Sequence, residues 1–236
     1  MAIKRAILAT GGMDSTVLMY RSVMRDGVKP TIITVDYGHD TFNQQMELLS
    51  YHCEVLGLEP PVPIKIEFYD YQTNKNSGLF VKDFKPAPVD PSSDEYYQEN
   101  KTMYADSYIE GRNLIMLAYA LGYCSTHKID ELQVGYYHTE KAWKNRRSYK
   151  ILTADNSAHF VDMLNLIAFT GYTHHVRINA PFITEMVDKS SIFKEGNEYN
   201  IDWDKTHSCY WVTPCGVCDN CVVRARLMNG ETEVKD

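Results

Sequence analysis

Several features that this 236-residue chain lacks narrow its class before any motif is read. No apolar run approaches the roughly 18 to 20 residues that a membrane-spanning helix needs. No basic stretch leads into an apolar one at the start, where Met1-Ala2-Ile3-Lys4-Arg5 runs straight into a strand-like segment. The chain is therefore expected to be soluble and cytoplasmic, with no membrane partner. An excess of basic residues is also missing. The formal net charge is -7, and a protein that coats nucleic acid needs a basic surface to displace counterions, so a nucleic-acid partner is not expected. Internal repeats and low-complexity segments are absent. Cysteines number only six, and four of them crowd into the thirteen residues from Cys209 to Cys221. That clustering points to a metal site in a reducing compartment and away from a secreted disulfide framework. The remaining composition, 44% hydrophobic, suffices for one full-sized α/β domain with a real core.

Apolar runs alternate with helical periodicity through the first half. Ala6-Ile7-Leu8-Ala9 reads as a buried strand, followed by a Gly-rich turn and a helix from about Ser15 to Arg25. Thr31 to Val35 is a second strand, Phe42 to Leu56 a helix ended by Gly57, and Val62 to Phe68 a third strand. Strands spaced by helices in this way predict a parallel, doubly wound sheet. From about Tyr69 to Ser107 the chain turns polar, rich in tyrosine and dotted with Pro86, Pro88 and Pro91. A stretch of that kind reads as a lid or substrate insertion. A helix from about Arg112 to Thr126, a strand from Glu131 to Tyr136, a helix near Ala158 to Phe169 and a strand around Val176 to Ile178 complete the main domain.

The sharpest motif is Thr10-Gly11-Gly12-Met13-Asp14-Ser15-Thr16, set between the first strand and the first helix. Glycines let a backbone approach an anion closely, and a helix N-terminus offers unpaired N–H groups and a positive dipole end. Ser15 adds a hydroxyl donor. A bare carboxylate beside phosphates is repulsive, so Asp14 makes sense as a helix N-cap or as a ligand for Mg²⁺. The loop lacks the Gly-Lys-Ser/Thr of a Walker A motif and the Gly-x-Gly-x-x-Gly of a dinucleotide fingerprint.

At the other end, Cys209, Cys215, Cys218 and Cys221 give the ligand count of a closed structural Zn²⁺ site. A bacterial ferredoxin run would place its next cysteine at position 225, which is Ala. His207 is close enough to compete with Cys209 as a ligand. Cys53 and Cys124 sit in helical segments and read as small apolar residues.

Ser-Gly-Gly-x-Asp-Ser after a first strand, here with Thr10 for the first Ser, resembles the signature of the PP-loop (N-type) ATP pyrophosphatases. Together with His-Ser-Cys-Tyr and Cys-Gly-x-Cys-x-x-Cys-x-x-Arg near the C-terminus, it resembles the QueC family of 7-cyano-7-deazaguanine synthases. Val35-Asp36-Tyr37-Gly38-His39 followed by Glu47, Glu110-Gly111-Arg112-Asn113-Leu114, and Asp188-Lys189-Ser190 agree with that family in order and spacing.

The resemblance implies a PP-loop domain over 1–200, with 69–107 as the insertion, and a four-cysteine zinc-binding tail over 201–236. It implies that ATP and Mg²⁺ are held by Ala9, Thr10, Gly11, Gly12, Met13, Asp14, Ser15 and Thr16. Asp14, Ser15, Arg112 and Lys189 then form the catalytic set, with Arg112 and Lys189 neutralising phosphate or carboxylate charge. For Lys189 a surface ion pair is the alternative, and Asn113 is a candidate helix cap. The implied reaction adenylates the carboxylate of 7-carboxy-7-deazaguanine and uses ammonia to give the amide and then the nitrile. A homodimer is the implied assembly.

One region departs from the family pattern. Between Gly135 and Asp155 the expected Asp and Tyr-Pro-Asp-Cys turn are missing, and the basic, aromatic run from Lys141 to Lys150 stands there instead. Asp155 is the candidate substitute for the second acid. The run reads either as a solvated face or as a changed acceptor site. Tyr96, Tyr97, Tyr104, Tyr108, Tyr136 and Tyr137 fall in loops that read as an exposed recognition surface. The resemblance extends to QueC-like proteins of phage modification and antiviral pathways, some of the latter joining the activated deazaguanine to a protein amine, so a ligase that stops at the amide or uses a protein amine is the alternative. A tRNA-modifying enzyme and a non-catalytic nucleotide-binding zinc module are the remaining readings.

Overall fold

The computed structural model describes residues 3–67, 109, 111–137 and 157–231. The insertion expected at 69–107, the basic run from Lys141 to Lys150, Asp155, Glu110 and the loop tyrosines from Tyr96 to Tyr108 lie outside the described residues.

β1 (Arg5–Leu8) sits at the centre of a five-stranded sheet because it is apolar on both faces. Ala6 and Leu8 enter one core with Leu117, Leu121 and Leu164; Ile7 and Ala9 enter a second with Val17, Leu18 and Leu49. Two-sided burial is what a parallel sheet requires of its middle strands. β2 (Thr31–Asp36) and β3 (Val62–Lys65) add on one side of β1, and β4 (Glu131–Val134) and β5 (Arg177–Asn179) on the other. All pairs are parallel and the order is β3-β2-β1-β4-β5, with Ala6 beside both Thr31 and Leu132. The direction of winding reverses between β1 and β4. In open α/β sheets ligands bind outside the carboxyl ends of the strands at such a point.

Helices cover both faces. α1 (Met13–Tyr20) and α2 (Phe42–Leu56) pack on the second core, α3 (Arg112–Thr126) and α4 (Ala158–Gly171) on the first. α2 ends where Gly57 turns left-handed at φ 61°, with Leu58 N donating to the Cys53 carbonyl. Cys53 and Cys124 are buried in α2 and α3, and burial pushes their thiols up to about 11 and about 12.

The structure differs from sequence expectation in several elements. α1 begins at Met13, two residues early, capped by Gly12, and then widens into a π-helical turn over Arg21–Arg25. β4 stops at Val134, so Gly135 to Tyr137 leave the sheet. Three helices carried no sequence signal that we read: α5 (Pro181–Thr184), α6 (Lys189–Glu198) and α7 (Asp219–Met228). α6 buries only Lys189, Ile192 and Gly196, too few apolar positions to show a stripe.

The C-terminal segment contributes to the main core. Ile201, Trp203, Val223 and Leu227 are buried in the same cluster as Ile7 and Val17. Trp203 lies directly against Gly196, where any Cβ would collide with its ring. Among the described residues no helix is long and apolar enough to cross a membrane.

Candidate functional site

The loop after β1 is shaped by its glycines and by one serine. Gly11 adopts φ 71°, a left-handed conformation that a side chain would strain, and a Cβ there would lie 3.3 Å from Leu48 Cβ. Gly12 caps α1, with Thr16 N donating to its carbonyl at 3.0 Å. Ser15 closes the turn internally: its hydroxyl donates to the Gly12 carbonyl at 3.2 Å and accepts from Thr10 N at 3.3 Å. Asp14 is therefore not the N-cap. It stands in the first turn of α1, and both of its oxygens accept from Lys189 Nζ, at 2.5 and 2.6 Å.

Lys189 is no surface residue. It is the first residue of α6, 8% exposed, and its ammonium lies 4.9 Å from the Tyr137 ring centroid. Asp188 caps α6 by accepting from Ser191 N at 2.8 Å, which sets the direction in which Lys189 leaves the helix. At the far ends of α1 and α6 a second contact holds the two helices together. Arg21, 3% exposed, bonds both oxygens of Glu195 and stacks on Phe182 at 4.6 Å. Both ion pairs join α1 to α6, so the position of Lys189 relative to the loop is fixed at two points.

Arg112 opens α3 behind Gly111, which is left-handed at φ 67° and serves as the cap; Asn113 is thus the second residue of the helix and not its cap. The guanidinium lies 5.9 Å from the Tyr37 ring, and Tyr37 stacks on His39 at 3.9 Å.

These groups meet in a cavity of about 240 Å³ at the carboxyl ends of the strands. Thr10, Gly12, Met13 and Asp14 line it with Arg112 and Lys189; Ala9, Gly11, Ser15 and Thr16 support the loop without lining the cavity. Residues that the sequence did not mark as a site also line it: Val35, Tyr37, Thr41, Gln45 and Met116, and from the tail Ser208, Tyr210 and Asn220, together with His207, which the sequence offered only as a metal ligand. A further contributor presses from behind. A Cβ on Gly135 would lie 3.1 Å from Ser15 N and 3.3 Å from Asp14 Cβ, so glycine there lets the chain leaving β4 pass directly beneath the first turn of α1. Tyr136 and Tyr137, expected on an exposed surface, are half-buried, packing against the first and second cores respectively. They fold inward because the chain leaves β4 across the site.

The cysteine segment is tied to the loop. His207 N donates to the Gly11 carbonyl at 2.9 Å, two residues before Cys209. The His207 ring does not join the metal-type cluster; its Nε2 donates to the Trp211 carbonyl at 2.8 Å. Cys209, Cys215, Cys218 and Cys221 converge, with all four sulfurs within 4.8 Å of one another. Cys215 N donates to Cys209 Sγ at 3.4 Å and Cys218 N to Cys215 Sγ at 3.3 Å, with Gly216 left-handed at φ 74° in the turn between. Hydrogen bonds from the Cys218 and Cys221 thiols pull the Cys209 thiol well below its ordinary range, while the same sharing pushes Cys221 up to about 11. Thiols packed this closely cannot all ionise without a cation between them. Four soft donors with N–H groups aimed at sulfur suit a metal ion.

The profile of the family described as "Queuosine biosynthesis protein QueC" matches residues 4–230 of the chain. A 7-cyano-7-deazaguanine synthase of Methanosphaera stadtmanae is 28% identical over 225 residues, covering 94% of this chain and 92% of the relative. Another 7-cyano-7-deazaguanine synthase, from Psychromonas ingrahamii, is 26% identical over 226 residues, covering 95% and 92%. Among solved structures, the U34-tRNA thiolase NcsA of Methanococcus maripaludis, described with its [4Fe-4S] cluster, is similar at a TM-score of 0.51. It is 14% identical over 96% of this chain and 67% of that one, a likeness of fold alone. With its family profile matched along nearly its whole length, the chain belongs to the QueC family of queuosine biosynthesis proteins.

Proposed function

We propose that the protein converts 7-carboxy-7-deazaguanine to 7-cyano-7-deazaguanine with ATP and ammonia. The observation that carries this reading is the single cavity in which the glycine loop, the Asp14–Lys189 pair and Arg112 face a wall built by the cysteine segment. The family supplies the substrate class, since the relatives are 7-cyano-7-deazaguanine synthases.

A carboxylate is a poor electrophile. In the proposed first step its oxygen attacks the α-phosphorus of ATP and the bond to pyrophosphate breaks, leaving a mixed anhydride with AMP. Ammonia then attacks the carbonyl carbon, the C–O bond to AMP breaks, and a proton leaves nitrogen to give the amide. The amide oxygen then attacks the α-phosphorus of a second ATP, the bond to pyrophosphate breaks, and loss of AMP and of both nitrogen protons leaves the nitrile. Positioning and charge neutralisation do most of the work in such a sequence. Gly12 and Met13 present backbone N–H groups to the phosphates, and Thr10, whose N–H is taken by Ser15, offers its hydroxyl. Lys189 and Arg112 offset negative charge at the reacting phosphate or carboxylate, and Asp14 would hold a Mg²⁺ ion, which would neutralise phosphate charge and needs only one or two carboxylates.

The four cysteines are assigned a single Zn²⁺. Tetrahedral Zn–S bonds of about 2.3 Å place ligand sulfurs about 3.8 Å apart, and Cys215 Sγ lies 3.9 Å from Cys221 Sγ. A cubane cluster would hold its ligands further apart, around four irons. The ion's part is to fold the tail, not to enter the reaction.

Purified protein with ATP, Mg²⁺, 7-carboxy-7-deazaguanine and ammonium should yield the nitrile by mass spectrometry, with two AMP for each nitrile. Absence of AMP under every condition would refute the proposal. AMP release without an amide or nitrile would move the acceptor from ammonia to another amine, with a protein amine the next to be tried.

A further inference from the structure

The cavity divides by chemistry. Its formally charged groups, Asp14, Arg112 and Lys189, stand with the glycine loop and suit phosphates. The wall from the cysteine segment offers a hydroxyl, a phenol and a carboxamide, from Ser208, Tyr210 and Asn220. Beside His207 and Cys209, these three uncharged groups suit a neutral planar heterocycle, where each unmatched polar atom is costly.

Asn220 is the most defined of the three. It lies in the first turn of α7 between Cys218, which caps that helix, and Cys221; both cysteines are at least nine-tenths buried. Convergence of the sulfurs therefore fixes Asn220 with almost no freedom of its own backbone. Asn220 is half-buried, and the structure records no hydrogen bond from its carboxamide among the described residues. A carboxamide holds one acceptor and two donors in a plane. A guanine-type base presents ring and exocyclic N–H donors beside a carbonyl acceptor, so one carboxamide can pair with two of these at once.

We propose that Asn220 is a specificity-determining residue that reads the hydrogen-bonding edge of the deazaguanine, with Ser208 as a second contact. This rests on the deazaguanine reading above. The cysteine site then positions a recognition group as well as folding the tail. The charged half of the cavity remains for ATP, and the two substrates are read by different parts of the chain.

The test uses metal-replete full-length protein and calorimetric titration with 7-carboxy-7-deazaguanine, its analogue lacking the exocyclic amine, and ATP. Asn220→Ala should weaken binding of the deazaguanine roughly 10- to 100-fold, the range for losing a paired buried polar contact. ATP affinity should stay within about twofold and the metal content should be unchanged. The wild type should prefer the intact base to the analogue lacking the amine, and Asn220→Ala should bind both alike, an outcome that a merely structural role does not produce. Ser208→Ala, outside the turn from Cys215 to Cys221, keeps the test usable if Asn220→Ala loses metal, and should weaken the base without affecting ATP. Undiminished preference for the intact base in Asn220→Ala, or ATP affinity falling in step with base affinity, would overturn the inference and leave the proposed function standing. A wild type that binds ATP but neither base would overturn both.

Discussion

Asp14 and Lys189 are 175 positions apart in sequence, yet share one partly buried ion pair at 2.5 Å. Lysine at 8% exposure is stable there because the carboxylate compensates it. Lys189→Met should reduce the rate of AMP formation by about 10²- to 10³-fold, as expected for removal of one preorganised charge, with the fold retained by circular dichroism. A rate within threefold of wild type would remove Lys189 from the reaction. His52 carries a different kind of prediction. It is fully buried, its Nδ1 meets Tyr20 OH at 3.2 Å and its Nε2 donates to the Lys205 carbonyl at 2.8 Å, joining α2 to the tail. Burial depresses its pKa, although the Lys205 carbonyl partly opposes this. The unfolded state therefore takes up a proton first, near the ordinary histidine value of about 6.5. Stability is present in full above that pH and is lost as pH falls toward the depressed folded value. Thermal denaturation between pH 7.5 and 5 should show this decline, and His52→Gln should flatten it. Equal slopes in both proteins would assign the decline to other groups. Both residues were present in the sequence, but only Lys189 stood in a segment with a family match, and nothing marked His52.

At the scale of elements, strong apolar periodicity was legible and close approach was not. The helix from Arg112 to Thr126 and the helix from Phe42 to Leu56 have the boundaries their patterns predict. The glycines that set contacts between elements carried no such pattern, because a missing side chain leaves no periodic trace. Gly135 lets the chain leaving β4 pass under the first turn of α1, and Gly196 lets Trp203 lie on α6. Alanine at these two positions should act differently. Gly135→Ala presses on Ser15 and Asp14 and should raise the KM for ATP by about tenfold or more while moving Tm by only a few degrees. Gly196→Ala forces Trp203 out of its place and should cost about 1–3 kcal/mol of stability, the range for overpacking. Steady-state kinetics and denaturant titration separate the two. A Gly135→Ala enzyme with normal ATP kinetics would show that the loop absorbs the methyl group.

At the scale of the whole molecule, the tail and the glycine loop form one structure. His207 N donates to the Gly11 carbonyl, and Arg224 on α7 donates to Thr206 Oγ1 at 2.7 Å and to the Trp203 carbonyl at 2.5 Å. Metal held two residues from His207 should therefore be thermodynamically linked to nucleotide in the loop. Chelating the metal should weaken ATP binding, and ATP should slow metal loss to a chelator, since coupling between two sites is reciprocal. A factor of roughly 5 to 150 is the usual range; identical ATP affinity in metal-free and metal-replete protein would show that the two ends are independent.

The sequence by itself determined the chemistry available: a Gly-Gly-x-Asp-Ser turn between strand and helix, four thiols in thirteen residues, and an alternation of elements that yields a parallel sheet. These are local, and local pattern is what periodicity and spacing report. Only the tertiary structure decided that Lys189 faces Asp14, that Gly135 lies beneath the loop, and that the cysteine segment walls the cavity. Each depends on strands and helices far apart in sequence meeting at the carboxyl ends of β1 and β4. Packing of the two cores fixes that meeting, and no single segment encodes it.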